Sequence, residues 1–344
     1  MNIQVINPIE YKGWDELVLS HPDYSFFHSS AWAKTLFESY HYTPLYFAVL
    51  NENTLSAVVP IMEVNSFLTG KRGVSLPFTD YCEPIVNGNI QFRDLWDCVI
   101  EYGKKGRWKS LEIRGGQNHF GTALPSLNYF GHTLDLDENS EELFNLFRES
   151  TRRNIRKAIR EGVRVEIFNS FDSVRKFYRL NCLTRRGHGL PPQPYKFFKN
   201  ICQHVIFKGL GFVALALHGG DCIAGAIFFH FGQKAIFKYG ASDRQHQRVR
   251  ANNLVMWEAI KWFSQNGYKS LHLGRTDIGN QGLLQFKAGW GVKQKNIRYF
   301  MYKFESEAFA NYSSKATDFR NKIFTYLPIP LSRMAGSVFY RHLG

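Results

Sequence analysis

Trp257-Glu258-Ala259-Ile260-Lys261-Trp262-Phe263 opens a stretch of helical character that closes at Gly267, and the apolar run Lys269-Ser270-Leu271-His272-Leu273-Gly274-Arg275 follows. A helix that returns to an apolar strand within a few residues is the unit of an α/β fold. The first half of the chain contains the same phrase. There Trp96-Asp97 opens a helix-like stretch that closes at Gly106, and Lys109-Ser110-Leu111-Glu112-Ile113-Arg114 follows. The interval from Trp to Gly is ten residues in both copies.

Upstream, Phe47-Ala48-Val49-Leu50 and Ala57-Val58-Val59 read as a hairpin. Its echo is Val213-Ala214-Leu215-Ala216-Leu217, then Gly219-Gly220-Asp221, then Ile223-Ala224-Gly225-Ala226-Ile227. Gly-Gly supplies the positive φ values that a tight hairpin turn requires. Each half therefore reads as hairpin, further strand, long helix, strand, and the shared spacing points to a duplication. The expected fold class is α/β (α+β) in two tandem domains, with residues 1–140 and 141–305 as the domains and 306–344 as a helical tail.

The join shows its own signals. Asn139 with Glu142 three residues later resembles a capping box, and Leu143, Phe147, Ile155 and Ile159 follow at helical spacing. Arg152, Arg156 and Arg160 form an i, i+4 row, and residues 148–164 hold seven basic residues against two acidic. Like charges at that spacing oppose an isolated helix by a few tenths of a kcal/mol per pair. Either an anionic partner neutralises them or they form a solvated outer face. Residues 305–322 read as a polar helix, Leu327-Pro328-Ile329-Pro330 as a break, and Ser332–Leu343 as a short amphipathic helix with Arg333 and Arg341. That last helix packs across the second lobe or rests on a membrane surface.

At 344 residues with 44% hydrophobic and 16% aromatic content, the chain can fill two cores. Lys and Arg number 43 against 29 Asp and Glu, a formal charge of +14, which attracts phosphate-bearing partners. Met1–Glu10 lacks a cationic patch before an apolar core, and Leu210–Leu217 and Ile223–Phe229 fall short of the ~18 residues that span a bilayer. Cysteines 82, 98, 182, 202 and 222 form no CxxC pair. These features place the chain in the cytoplasm, at most peripheral at the inner membrane face. No HExxH or Cys/His cluster marks a metal site, and no GxSxG elbow or GxxxxGK[ST] loop is present. Gly209-Leu210-Gly211-Phe212-Val213-Ala214 leads into a strand-like run, so it lacks the helix N-terminus that a dinucleotide fingerprint needs.

Chemistry concentrates in the second half. Arg248, Arg250, Asn252 and Asn253 precede the Trp257 helix and put basic side chains beside free N–H groups, a site for phosphate or carboxylate. Leu273-Gly274-Arg275-Thr276-Asp277 and Gly282-Leu283-Leu284-Gln285-Phe286-Lys287-Ala288-Gly289-Trp290-Gly291 look like the lip of a cleft.

Together with Arg152–Ala158, Tyr239-Gly240-Ala241-Ser242, Asn252-Asn253-Leu254, Phe26–Trp32 and Pro77–Pro84, these motifs make residues 20 to 305 resemble the FemAB-related acyltransferases. The resemblance implies tandem GNAT-like domains with a cleft between them. It also implies transfer of an acyl or aminoacyl group to an amine of a cell-envelope precursor, related to peptidoglycan or polysaccharide. The implied co-substrate is acyl-CoA or aminoacyl-tRNA, with no tightly bound cofactor and no metal. The implied partners are that donor, a phosphate-bearing envelope precursor and an anionic membrane surface. Two departures stand out. The helical-hairpin insertion of some Fem-type enzymes has no counterpart, and the Q/RxxGxG/A loop that ordinary GNAT enzymes place before the long helix is replaced by Arg248-Val249-Arg250-Ala251-Asn252-Asn253.

Acyl transfer to an amine needs a deprotonated amine, a stabilised oxyanion and aligned substrates. By resemblance Lys287 takes the oxyanion role, the alternative being a lysine that snorkels from a helix surface. Asp80 is the candidate to accept a proton or hold the acceptor ammonium, and is equally a turn aspartate. Tyr239, Arg275 and Phe286 are expected to face substrate, although Arg275 could instead pair with Asp277 or Glu258. Arg186 and His188, on an expected loop through Leu190-Pro191-Pro192, close over substrate, with His188 as a base or as plain polar surface. Two other functions fit the same sequence: a CoA-dependent N-acyltransferase on an amino sugar or lipid-linked saccharide, and a non-catalytic RNA- or membrane-binding module.

Overall fold

The computed structural model describes the chain except Met1, Glu52, Asn53, Asn89, Asp137, Glu138, residues 311–320 and Gly344. In chain order it holds β1 (Gln4–Ile6), α1 (Trp14–Leu19), α2 (Ser30–Tyr40), β2 (Thr43–Asn51), β3 (Thr54–Ser66), β4 (Gly70–Val74), β5 (Ile85–Val86), α3 (Phe92–Lys105), β6 (Ser110–Arg114) and β7 (Leu127–Asp135). Next come α4 (Ser140–Leu146), α5 (Glu149–Arg160), β8 (Arg164–Phe168), α6 (Phe171–Gly187), α7 (Tyr195–Ile201), β9 (Gly211–His218), β10 (Asp221–Phe231) and β11 (Lys234–Ser242). The chain closes with α8 (Ala251–Gln265), β12 (Ser270–Asp277), α9 (Gln281–Ala288), β13 (Lys293–Lys303), β14 (Ala308–Phe309), α10 (Asn321–Tyr326) and α11 (Ile329–Leu343).

Two compact units result. The first comprises Met1–Tyr129, Asn296–Ser314 and Val338–Gly344, the second Phe130–Lys295 and Lys315–Ser337. In the first, β2, β3 and β4 pair antiparallel, and β4 pairs β6 in parallel through the crossover helix α3. In the second, β9, β10 and β11 pair antiparallel, and β11 pairs β12 in parallel through α8. The repeat read in the sequence is this shared topology. Each unit is completed by residues from the other half of the chain: β6 receives Tyr299–Lys303 of β13, and β12 is flanked by β7.

Each core forms where the two periodicities meet. Phe47, Val49, Ala57, Val59 and Ile61 alternate inward on β2 and β3 and bury against Leu95 and Val99 of α3, with Trp108, Leu111 and Ile113. In the second unit Ala214, Ala216, Ala224, Ala226 and Phe228 meet Leu254, Trp257, Ile260 and Phe263 of α8. Gly219 (φ 57) and Gly220 (φ 87) make the β9–β10 turn as their sequence requires.

Local structure departs from the sequence reading at three places. The helix expected to run on from Asn139 is two helices. Asn139 caps α4 through its side-chain oxygen, which accepts from the N–H groups of Glu141 and Glu142 (both 3.0 Å), but Phe147 (ψ 146°) and Arg148 (ψ 145°) are extended. There the buried Phe147 turns inward and the Arg148 N–H donates to the Gly289 carbonyl, 3.0 Å. The break rotates α5, so Ile159, expected on the apolar side, is 55% exposed.

Of the two residues expected on a loop, His188 lies at the start of one and Arg186 does not. Arg186 is in the last turn of α6 and His188 caps it, and Gly189 (φ 65) ends the helix with Leu190 N–H on Arg185 O and Gly189 N–H on Arg186 O. The polar helix expected at 305–322 falls largely outside the described residues, and its described start is β14, paired with β13. In the first unit the end of α11 packs on Tyr42, whose hydroxyl donates to the carbonyls of Tyr340 (3.0 Å) and Arg341 (3.1 Å). Packing of that helix on the second lobe alone was therefore too narrow an expectation.

Candidate active site

In the second unit, β11 and β12 pair over only three positions, Lys234 with Ser270 through Ile236 with His272. Beyond that point β11 runs on to Ser242 and β12 to Asp277. A register shift against β10, where Ile227 faces Tyr239 but Phe228 faces Phe237, leaves Lys238 as an extra residue. Such a bulge bends its strand, and the carboxyl ends of β11 and β12 part. In parallel α/β sheets that opening is where ligands bind.

The start of α8 stands at the end of β11. Arg250, its N-cap, adopts φ 60° and makes no side-chain cap. The Asn252 amide donates to Ser242 Oγ (3.2 Å), which ties the helix start to the strand end. Arg248, Arg250 and Asn252 are exposed, so two cations and a helix N-terminus face solvent together. Asn253, expected in the same set, is buried and its N–H is taken by Arg250 O at 3.0 Å.

Lys287 comes from the last turn of α9, a helix capped by Asn280, whose side chain accepts from Leu283 N–H at 3.1 Å. It is 2% exposed, which rules out a lysine snorkelling from a surface. Its Nζ donates to the carbonyls of Gly274 (2.9 Å) and Arg275 (3.0 Å) on β12. Gly274 has φ 73°, a conformation that costs a residue with a Cβ roughly 1–2 kcal/mol. The strand thus presents carbonyls to a buried ammonium where it leaves its pairing with β11.

Around Lys287 the polar atoms are thinly bonded. Thr276 Oγ1 and Trp290 Nε1 are buried without hydrogen-bond partners, and neither nitrogen of the buried His132 ring makes a hydrogen bond of normal geometry. Burial and the Lys287 cation push His132 down to about 4, against a smaller opposing pull from the Gln294 side chain. Sequence reasoning missed His132. The usable signal was its period-two phase with the buried Leu134 and Leu136 on and after β7.

A second group lines a cavity of about 270 Å³ formed by Asn181, Thr184, Arg185, His188, Gln193, Lys238, Tyr239 and Gly240. Two expected substrate residues, His188 and Tyr239, therefore share one cavity. Tyr239 is set by edge-on Phe197 (6.3 Å) and a tilted Phe198 (5.5 Å). Burial, then the Arg244 and Arg185 cations, lower the His188 pKa, which keeps its imidazole neutral at pH 7. Arg186 is not among the residues lining that cavity. Phe286 packs edge-on to Trp290, 5.8 Å, against the core.

Asp80 belongs to the first unit, in the loop after β4. Leu76 (φ 59) and Phe78 (φ 60) hold that loop in the left-handed region, and Tyr299 Oη donates to the Asp80 carbonyl at 2.7 Å. Backbone strain of this kind gathers at functional sites. Among the described residues, no group of three or more His, Cys, Asp or Glu could hold a metal ion, and no helix is long and apolar enough to cross a membrane.

Residues 145–288 match the family of acetyltransferase (GNAT) domains. No curated protein matches the chain in sequence. Among solved structures, FemX superposes with a TM-score of 0.69 at 16% identity, over 86% of this chain and 96% of its own. A tandem GNAT protein from the clavulanic acid biosynthesis pathway gives 0.57 at 9% identity, over 88% and 98%. L-PGS from Bacillus licheniformis gives 0.54 at 10% identity, over 98% and 97%. Residues 145–288 thus form an acetyltransferase (GNAT) domain, and the chain as a whole has the fold of GNAT-type acyltransferases. Over most of its length the chain shares the fold of FemX and of the tandem GNAT protein.

Proposed function

We propose that the chain transfers an acyl or aminoacyl group to an amine of a cell-envelope precursor, related to peptidoglycan or polysaccharide. The observation that carries this reading is Lys287, a buried ammonium fixed on the Gly274 and Arg275 carbonyls at the parting of two parallel strands. A fixed cation in a water-poor site stabilises the oxyanion that forms as an amine attacks an acyl carbon. The amine nitrogen bonds to that carbon, the bond to the donor's ester oxygen or thioester sulfur breaks, and the leaving group takes up the proton the amine loses. The neutral His188 relays that proton, Tyr239 contacts the acceptor, and Arg275 contacts phosphate. Arg248, Arg250 and Asn252 hold the donor's phosphates.

The envelope acceptor is supported by the fold shared with FemX and with a putative lysylphosphatidylglycerol synthetase from Agrobacterium fabrum (TM-score 0.54, 14% identity, 79% of this chain and 86% of its own). We assign one transferase lobe to each compact unit, in place of the continuous spans 1–140, 141–305 and 306–344 expected from the sequence. Residues 130–140 belong to the second unit and residues 296–305 to the first. The protein works in the cytoplasm, peripherally at the inner membrane face. A CoA-dependent N-acyltransferase on an amino sugar or lipid-linked saccharide is the second reading, favoured by the match of residues 145–288 to acetyltransferase domains. A donor titration decides between them: saturable binding of acyl-CoA without preference for charged tRNA supports the CoA enzyme. Preference for aminoacyl-tRNA over uncharged tRNA and CoA supports the aminoacyl reading. If neither binds and only RNA or lipid affinity remains, the chain is a binding module.

A further inference from the structure

The β3–β4 turn of the first unit exposes Phe67 by 83% and Leu68 by 55%. This is an ordered turn. Ser66 Oγ accepts from the N–H groups of Leu68 (3.2 Å) and Thr69 (3.1 Å) and meets His342 Nδ1 at 2.9 Å. The Phe67 ring stands edge-on to the His342 ring, 4.5 Å between centroids, and Arg72 donates to the His342 carbonyl at 2.9 Å. The hairpin tip and the end of α11 are thus one surface, built around the buried His342. On the α11 side Val338 (57%), Phe339 (44%) and Leu343 (58%) are exposed.

Single exposed apolar residues need no explanation, but five large ones on one hydrogen-bonded platform do. Beside them Lys71 is paired with Glu63 at 3.0 Å, while Arg72 and Arg341 flank His342. Residues 64–79 and 338–344 contain no Asp or Glu, and besides Lys71 they contribute the cations Arg72 and Arg341. Arg341 and Arg72 both lie close enough to His342 to lower its pKa, after burial. Apolar side chains flanked by two arginines complement an anionic bilayer: the apolar groups enter the acyl boundary and the cations meet the headgroups.

We propose that Phe67, Leu68 and the Val338–Leu343 end of α11 form a docking surface for a bilayer carrying anionic lipid. This rests on the peripheral membrane location in the proposed function and names the surface responsible. The test is co-sedimentation of the full chain with vesicles of phosphatidylcholine alone and of phosphatidylcholine with phosphatidylglycerol. The expected result is binding to the anionic vesicles that weakens as salt is raised. Phe67→Ser with Leu68→Ser, and separately Val338→Ser with Phe339→Ser, should each lower it at least ~5-fold. Arg72→Gln with Arg341→Gln should lower it on anionic vesicles alone.

Unchanged melting temperatures show that the variants are folded, and the donor titration on the same variants should match wild type. Loss of vesicle binding with donor binding intact thus separates this surface from the transferase reading. Equal vesicle binding by wild type and both apolar variants overturns the proposal. So does a wild-type dimer in light scattering that the Phe67 and Leu68 substitutions convert to a monomer, which would assign the surface to a second copy.

Discussion

Lys287 Nζ donates to the carbonyl of Gly274 at 2.9 Å, and Gly274 holds φ 73° on β12 beneath it. The strand bends its backbone so that a dipole meets a buried cation, and Arg275 adds a second at 3.0 Å. Lys287→Ala removes both the charge and the partner of two carbonyls. If the ammonium stabilises the transition state, kcat/KM for the proposed transfer falls about 10²–10³-fold. Stability falls by about 2 kcal/mol as the carbonyls lose their donor. Steady-state kinetics and urea unfolding read the two effects. Retained activity in a folded variant would remove Lys287 from the chemistry.

Gly274→Ala tests the backbone half of the same contact. A Cβ at φ 73° should cost about 1–2 kcal/mol, and relaxation toward negative φ would turn the carbonyl off Lys287. The expected outcome is a lower unfolding midpoint together with lower kcat and little change in donor affinity. A variant that loses stability but keeps kcat would show that the glycine serves the fold alone.

Arg250 stands in the loop before α8 with a backbone conformation that suits a glycine. It keeps the left-handed φ of 60° and points an exposed guanidinium outward. Arg250→Gly should leave stability unchanged or raise it by up to about 1 kcal/mol, since the strained Cβ is gone. If the donor is a tRNA, affinity drops and the slope of log K against log salt shrinks by roughly 0.7–0.9 for the lost phosphate contact. If the donor is CoA, the glycine should bind it as well as or better than arginine does. A salt-dependent titration of both donors distinguishes these outcomes.

The repeat was legible because helix and strand leave different periods. Trp96 to Gly106 and Trp257 to Gly267 became α3 and α8, each crossing between parallel strands. The exchange of β7 and β13 was not, because an alternating strand carries no mark of the sheet that will hydrogen-bond it. The break at Phe147 was hidden for a related reason: Phe147 and Ile155 keep helical phase, and the contact that ends α4 is Arg148 with Gly289, distant in sequence. Of the candidate site, Lys287 was read from its Phe-Lys motif, Tyr239 from its Tyr-Gly-Ala-Ser run and His188 from the Pro-containing segment that follows it. His132 escaped because its burial beside Lys287 arises only once β7 lies next to β12.

That burial has a pH consequence. The His132 imidazole is pushed from an ordinary 6.5 down to about 4, by desolvation first and the Lys287 cation second. Between those values the unfolded chain binds a proton that the folded chain refuses. Stability from this group is therefore undiminished above pH ~6.5 and is lost as pH falls toward ~4. At 1.36 kcal/mol per pH unit the loss is on the order of 3 kcal/mol for His132. His230, lowered to about 4 by burial and held by the Tyr268 hydroxyl at 2.8 Å, acts in the same direction. His132→Gln keeps a polar side chain that does not titrate, so its unfolding midpoint should fall less between pH 7 and pH 5 than that of wild type. Chemical denaturation at the two pH values measures the difference. Parallel midpoints in wild type and variant would mean that His132 is not held neutral by its surroundings.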